Sequence, residues 1–264
     1  RAARRMGYDR IALTDTDNHY GVLKFISACL EEGLTPIVGA EITDPNKQGR
    51  AVCLVKNATG YANLCRLITR RHRDPTFDLS TTLPHLAAGL LVLVSHAGLL
   101  TAWHRAGVHT AAALPRRPPS PFHPLVQAAR RLDVPLVATP GSFFLELDGF
   151  AVHRLLRAIA GNTALSRLGP NDTAPQEAWL APAEEYHRRF IHCPEALENT
   201  CKMAERLTFT GPSFGLVMPP WEDNGGRSAD DCLRRAAYAG ARNRYGKELG
   251  EAVVERLEHE LAVI

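Results

Sequence analysis

The run Ile11-Ala12-Leu13-Thr14-Asp15-Thr16-Asp17-Asn18-His19-Tyr20-Gly21 decides how the rest of the chain is read. Apolar residues lead straight into short polar ones. A stretch with Leu23, Ile26 and Leu30 on one stripe follows, as far as Gly33. That order is strand, loop, helix, with polar groups at the C-terminal end of the strand, where α/β folds build their sites. The pattern recurs at Thr35-Pro36-Ile37-Val38-Gly39-Ala40-Glu41, a second apolar strand ending on a carboxylate. Two strands that each end in acid point to a metal or phosphate site, or to the remains of one.

Further along, Ala51–Val55, Leu90–Ser95, Val108–Leu114 and Pro135–Thr139 read as strands, with Leu90–Ser95 apolar enough to be buried on both faces. Helices are expected over Tyr20–Glu32, Asn57–His72 and near Ser80–Ala87, the last with Ser80 as N-cap. A further helix is marked by Leu125, Ala129 and Leu132, and another covers Phe150–Ala160 with Val152, Leu155, Leu156 and Ile159 turned inward. Residues 44–49 form a turn, and the proline-dense, basic Pro115–Pro124 an exposed loop. The alternation of strand and helix predicts a parallel α/β sheet or barrel to about residue 160. From about residue 182 the pattern is helical, over Pro194–Leu207, Ser228–Tyr245 and Lys247–Ile264, with a Gly- and Pro-rich linker before the last two.

Composition narrows the function classes only a little. The 264 residues are 45% hydrophobic and 22% charged, enough apolar material for a sizeable core. A net charge of +3, from 31 basic and 28 acidic residues, is too balanced to require a nucleic-acid partner. The pairs Arg4-Arg5, Arg70-Arg71, Arg116-Arg117, Arg130-Arg131 and Arg188-Arg189 read first as solvated helix faces, with a phosphate-binding surface as the weaker alternative. The six cysteines form no CxxC pair and read as buried free thiols in a reducing compartment. No apolar run is long enough to span a membrane and no signal peptide is visible, so a cytoplasmic location is expected. Both ends look cut, which makes the chain read as a fragment.

The motifs Ala12-Leu13-Thr14-Asp15-x-Asp17-Asn18-x-Tyr20-Gly21 and Pro36-Ile37-Val38-Gly39-x-Glu41 resemble the PHP (polymerase and histidinol phosphatase) domain. Later segments narrow the resemblance. Gly60-Tyr61-x-Asn63-Leu64-x-Arg66-Leu67-Ile68-Thr69, Pro135–Thr139 and Pro194-Glu195-Ala196-Leu197-Glu198-Asn199-Thr200 are similar to the bacterial DNA polymerase III alpha subunit, and most of all to its error-prone relative. The resemblance implies a PHP-type distorted (β/α)7 barrel lacking its first strand, followed by a helical segment leading into the polymerase palm. In residue terms it implies a PHP domain over 1–211, a linker over 212–227 and the start of the palm over 228–264. It implies a polymerase that uses Mg²⁺. Implied partners are the remainder of the polymerase chain, a proofreading exonuclease or accessory subunit, and DNA through the parent protein, with no membrane.

Active PHP domains hold metal ions, such as Zn²⁺ or Mn²⁺, in a ring of histidines and carboxylates at the strand ends, and hydrolyse phosphoesters there. Carried over by resemblance, that ring is thin. Glu41 and His72 are kept. Thr16 stands where a histidine is expected, Ala97 where a cysteine is expected with His96 beside it, and Gly141 and Phe143 replace an aspartate and a histidine. Phe143 then reads as an aromatic ring filling the former pocket. Glu41 and His72 are therefore vestigial ligands, with Asp15, Asp17 and His96 as stand-ins, and no residue is expected to be catalytic. No cofactor is expected for this stretch itself. Other readings stay open: Glu41 capping a loop or pairing with an arginine, His72 as a solvated helix-end residue, Asp15 and Asp17 as turn residues bonding backbone, and His19, His96 and His153 as structural. The leading expectation is a scaffold with a degenerate site. A metal-dependent phosphoesterase or 3′–5′ exonuclease is the alternative.

Overall fold

The computed structural model describes residues 1–45, 49–212 and 226–264. Two compact units emerge, Arg1–Pro212 and Ser213–Ile264. The expected linker falls largely on residues 213–225, outside the described residues.

The first unit is a mixed α/β structure around one curled six-stranded sheet. After a short α1 (Ala2–Arg5), the order is β1 (Arg10–Thr16), α2 (Val22–Glu31), β2 (Thr35–Thr43), β3 (Arg50–Val55), α3 (Ala58–Arg73), α4 (Leu79–His85), β4 (Leu90–Val94), α5 (Ala97–Arg105), β5 (Thr110–Pro115), α6 (Pro124–Arg131), β6 (Leu136–Thr139), α7 (Gly149–Ala160), α8 (Ala183–Arg189) and α9 (Pro194–Glu205). The strands lie in sequence order, β1 through β6. The fold class expected from the resemblance is therefore the one observed.

One feature departs from a purely parallel sheet. β3 runs antiparallel to both β2 and β4, while the β1–β2, β4–β5 and β5–β6 pairs are parallel. Only residues 44–49 separate β2 from β3, with the Asp44 amide donating to the Gly49 carbonyl at 2.9 Å. A parallel return needs a crossover of a dozen residues or more, so this short connection allows only a hairpin. The consequence matters for the site: the N-terminal residue of β3, Arg50, arrives at the same rim as the C-terminal residues of β1 and β2.

Both faces of the sheet are covered. Val38, Ala40, Ile42, Cys53, Val92 and Val94 pack with Leu64 and Leu67 of α3 and Leu100 and Trp103 of α5. On the other face Ile37, Leu54, Leu91, Leu93, Ala113 and Val137 meet Leu207, Met203 and Ala204. All five residues of β4 are buried, as its unbroken apolar run requires. α9 also closes the β6 edge. The Asn199 Nδ2 donates to the Leu136 carbonyl at 3.0 Å, and the Thr200 hydroxyl to the Ala138 carbonyl at 2.9 Å. These bonds occupy acceptors that an open edge strand would offer to a stranger.

Several local expectations need correction. α4 is capped by Asp78, whose carboxylate accepts from the Thr81 amide, and not by Ser80. α5 is an element the pattern reading passed over, although Leu100 and Trp103 anchor it in the core. In α2 the buried residues are Val22 and Cys29, while Leu23 and Leu30 face solvent. In α7 the stripe expected to face inward is exposed: Val152 59%, Leu155 47%, Leu156 58% and Ile159 66%. Periodicity places these four side chains on one face of the helix, but does not determine which side of the molecule the face meets. The thiols also divide: Cys29, Cys53 and Cys193 are buried, Cys65 and Cys232 are half-buried, and Cys201 is exposed. Burial pushes the Cys53 thiol up to about 12, which leaves it protonated and inert.

The second unit carries α10 (Ala229–Tyr245) and α11 (Glu251–Val263). The Ser228 hydroxyl caps α10 through the Asp231 amide, and Gly246 (φ +98°) ends it. The Arg234 guanidinium grips both oxygens of Glu258 at 2.6 and 2.8 Å and ties the two helices together. Among the described residues, no helix is long and apolar enough to cross a membrane.

Candidate functional site

The parallel register of β1 and β2 sets Thr16 opposite Glu41, so both strands deliver polar side chains to one rim. The chain leaves β1 through Asp17, which adopts φ +56°. A left-handed conformation costs a non-glycine residue about 1 kcal/mol, so it persists only where its surroundings enforce it. The enforcement is visible. The Asp17 amide donates to the Glu41 carbonyl at 2.7 Å. Its carboxylate accepts from the Thr43 amide at 2.8 Å and from the Thr43 hydroxyl at 2.5 Å.

α3 closes over this corner with its last turn. Arg71 Nε donates to the Thr43 carbonyl at 2.7 Å, and its Nη2 lies 3.4 Å from Asp17 Oδ2. The pair is largely buried, with side-chain exposures of 21% and 13%. His72 Nε2 lies 2.7 Å from the Asp17 carbonyl. A carbonyl can only accept, so this nitrogen carries the proton and has no lone pair to offer a metal. The Glu41 carboxylate accepts from the Thr16 hydroxyl at 3.0 Å and meets Arg50 at 3.5 Å.

Of the residues singled out from sequence, Asp17, Glu41 and His72 are thus drawn together, with Thr16 between them. Asp15 is not. Its carboxylate turns toward Gly21 and His19. His96 caps α5 by accepting from the Leu99 amide, and makes no hydrogen bond or ion pair with the Asp17–Glu41 group among the described residues. Phe143 does not fill a pocket. It is 63% exposed and rests its ring edge-on against His153, while its amide donates to the Ala178 carbonyl. His153 accepts from the Ala174 amide through Nε2 at 2.9 Å. The residues missed from sequence are Arg71, Thr43 and Arg50. Nor are all the paired arginines solvated, since Arg189 is 3% exposed against Glu185.

The local charge is balanced, two carboxylates against two guanidiniums. A multinuclear metal centre needs a surplus of anionic and lone-pair donors to offset each ion. Here both Asp17 oxygens, both Glu41 oxygens and one His72 nitrogen already have protein partners. Among the described residues, no group of three or more His, Cys, Asp or Glu side chains is arranged to hold a cation. The side chains present do not fit such a centre.

Comparison with known proteins gives the family. The PHP domain model matches residues 1–138, more than half of the chain. The chain belongs to the PHP domain family. It is 30% identical to the error-prone DNA polymerase of Symbiobacterium thermophilum over 98% of its own length and 28% of the relative's. It is 27% identical to the DNA polymerase III subunit alpha of Halalkalibacterium halodurans, covering 99% of this chain and 26% of that one. The corresponding subunit of Pseudomonas aeruginosa is also 27% identical, over 100% and 26%. This PHP domain chain therefore spans about a quarter of the length of the curated relatives it matches.

Beside the ion-paired corner, the PHP domain holds a half-buried histidine. His19 stacks on Tyr61 at 5.9 Å, and Tyr61 on Phe209 at 5.5 Å. Among the described residues, neither ring nitrogen of His19 makes a hydrogen bond of ordinary geometry. Burial holds its pKa below the usual histidine value, although the nearby Gly39 backbone and Asp15 carboxylate pull the other way. Burial moves His109 and His153 in the same direction, helped by Lys56 and Arg206 for His109 and by Arg157 for His153. Below about pH 6.5 the unfolded chain therefore binds more protons than the folded one, and stability falls as pH falls. Urea midpoints should be flat from pH 8 to 7 and drop by pH 5.5. His19→Leu should flatten that drop, and an unchanged pH profile in this variant would assign it elsewhere.

Proposed function

We propose that this chain is the N-terminal PHP region of a DNA polymerase III alpha-like polymerase, nearest the error-prone branch. In this reading its barrel works as a scaffold, and its metal site is degenerate. The observation that carries the reading is the Asp17–Arg71 pair. A guanidinium anchored to the Thr43 carbonyl neutralises the carboxylate that a divalent cation would need, and does so permanently, because arginine does not deprotonate in proteins. Glu41 is treated in the same way by Arg50, and Thr16 supplies a hydroxyl where the family pattern calls for an imidazole. The former ligand corner then serves to lock β1, β2 and α3 together. Such a scaffold would receive the remainder of a polymerase chain, and a proofreading exonuclease or accessory subunit. Its contact with DNA would come through that assembly, and Mg²⁺-dependent nucleotidyl transfer would belong there too.

The test is hydrolysis. The purified chain, supplied with Mn²⁺ or Zn²⁺, is incubated with p-nitrophenyl phosphate and with 3′-labelled single-stranded DNA. Release should not rise above the metal-only control. Metal-dependent release that Glu41→Ala abolishes would instead establish the phosphoesterase or 3′–5′ exonuclease reading.

A further inference from the structure

α7 carries an apolar face that is left open among the described residues. Val152, Leu155, Leu156 and Ile159 recur at the i, i+3, i+4, i+7 spacing of a single stripe, and all four are exposed. Leu145 and Leu147, in the segment that leads into the helix, are exposed as well. Within α7 only Ala158 is buried. A helix of 12 residues is marginal by itself in water and draws its stability from burying its apolar side. Here that side faces out. The stripe is also free of charge, since the two arginines of α7 are directed elsewhere. Arg154 Nη2 donates to the Leu165 carbonyl at 3.2 Å, and Arg157 Nε to the Asp172 carbonyl at 2.6 Å.

We propose that this face of α7 is an interface between two copies of the chain, with the two helices packed antiparallel across a two-fold axis. An uncharged stripe offers nothing to a phosphate backbone or a charged peptide, but it matches itself. With the axis at Leu155 and Leu156, the leucines of both copies meet at the centre, and Val152 of one copy lies against Ile159 of the other. A two-fold contact of this kind uses the same patch twice, the commonest arrangement among soluble oligomers. Helices running in opposite directions also oppose their dipoles favourably. The area is sufficient. Six side chains that each expose on the order of 100 Å² give roughly 600 Å² per copy, at the upper end of what one copy alone leaves open. A pair would cover about 1,200 Å², where stable interfaces begin. The inference goes beyond the scaffold reading, and would stand even if the barrel proved able to hydrolyse phosphoesters.

The experiment is sedimentation equilibrium of the whole chain over a wide range of concentration. The parent should show a reversible equilibrium between one and two chains, with nothing larger, because a two-fold contact closes on itself. Val152→Lys and Ile159→Glu, made separately, should each weaken the dimer by about tenfold or more, since each sets an unpaired charge in an apolar contact. Combined in one chain, Val152→Lys/Ile159→Glu places each lysine opposite a glutamate of the other copy and should recover most of the loss. Leu23→Glu/Leu30→Glu, on the exposed face of α2, should leave the dimer unchanged. All of these positions are exposed, so urea midpoints should stay near that of the parent. A parent that remains a single chain at every concentration would overturn the proposal and assign the face to a different polypeptide. Equal weakening by the α2 variant, or no recovery in the combined α7 variant, would overturn it too.

Discussion

Arg71→Ala is expected to destabilise the chain by about 3 kcal/mol, far more than a surface arginine would. Removing one partner of a buried ion pair strands the other, and here Asp17 is only 13% exposed. The Thr43 carbonyl also loses its 2.7 Å charge-assisted bond, a further penalty wherever no water can replace it. Asp17 would keep its bonds to Thr43, which is why the cost stops short of the largest values measured for such pairs. For a chain of this size the loss corresponds to a fall in Tm of roughly 6–12 °C. The neighbouring Arg70 is exposed, and Arg70→Ala should cost less than about 0.5 kcal/mol. Equal urea midpoints for the two variants would remove Arg71 from the brace.

Gly60→Ala should be more damaging still, at about 4 kcal/mol or beyond. A Cβ on Gly60 would lie 2.0 Å from the Gly89 carbonyl oxygen and 2.6 Å from its carbon. Both are backbone atoms, so no side chain can swing aside. The two segments are also pinned to each other. The Lys56 amide donates to that same Gly89 oxygen at 2.9 Å, and the buried Asn63 donates to the Ala88 carbonyl at 2.9 Å. Gly89 itself sits at φ +76°, which a side chain would strain. The contrast is Gly240→Ala in α10, where a Cβ meets nothing within 4 Å. There the change should be neutral, or stabilising by roughly 0.5–1 kcal/mol. Soluble yield and urea midpoint read both, and a Gly60→Ala variant as stable as the parent would mean that α3 and the β4 entry can part.

These two sites show which parts of the structure were legible in the sequence. β1, β2 and β4 were, because an apolar run ending in polar residues constrains both the element and its direction. The curled α/β sheet follows from their order. The rim was half legible. Glu41 and His72 fall at strand and helix ends, and the sequence allows an arginine partner for Glu41. That the partner is Arg50 depends on β3 running backwards, which follows from the length of the 44–49 connection and not from any pattern inside the strand. Arg71 was hidden in a basic run that looked solvated. Only the packing of the last turn of α3 over Asp17 distinguishes it from Arg70. The α7 stripe failed for a related reason, since Val152 through Ile159 repeat like core residues while the face they form is exposed. Phe143 shows that an aromatic residue in the expected pocket need not fill it, since its ring is exposed and lies against His153.

The proposed scaffold role rests on protein cations, Arg71 and Arg50, balancing the carboxylates at the ends of β1 and β2 in place of metal ions. Metal content tests it most directly. The chain is equilibrated with Zn²⁺ or Mn²⁺, freed of excess by dialysis, and analysed by plasma mass spectrometry alongside the Glu41→Ala/His72→Ala variant. The ion-paired corner predicts far less than one ion per chain, with no difference between parent and variant. One or more tightly held ions in the parent, lost in the variant, would contradict it.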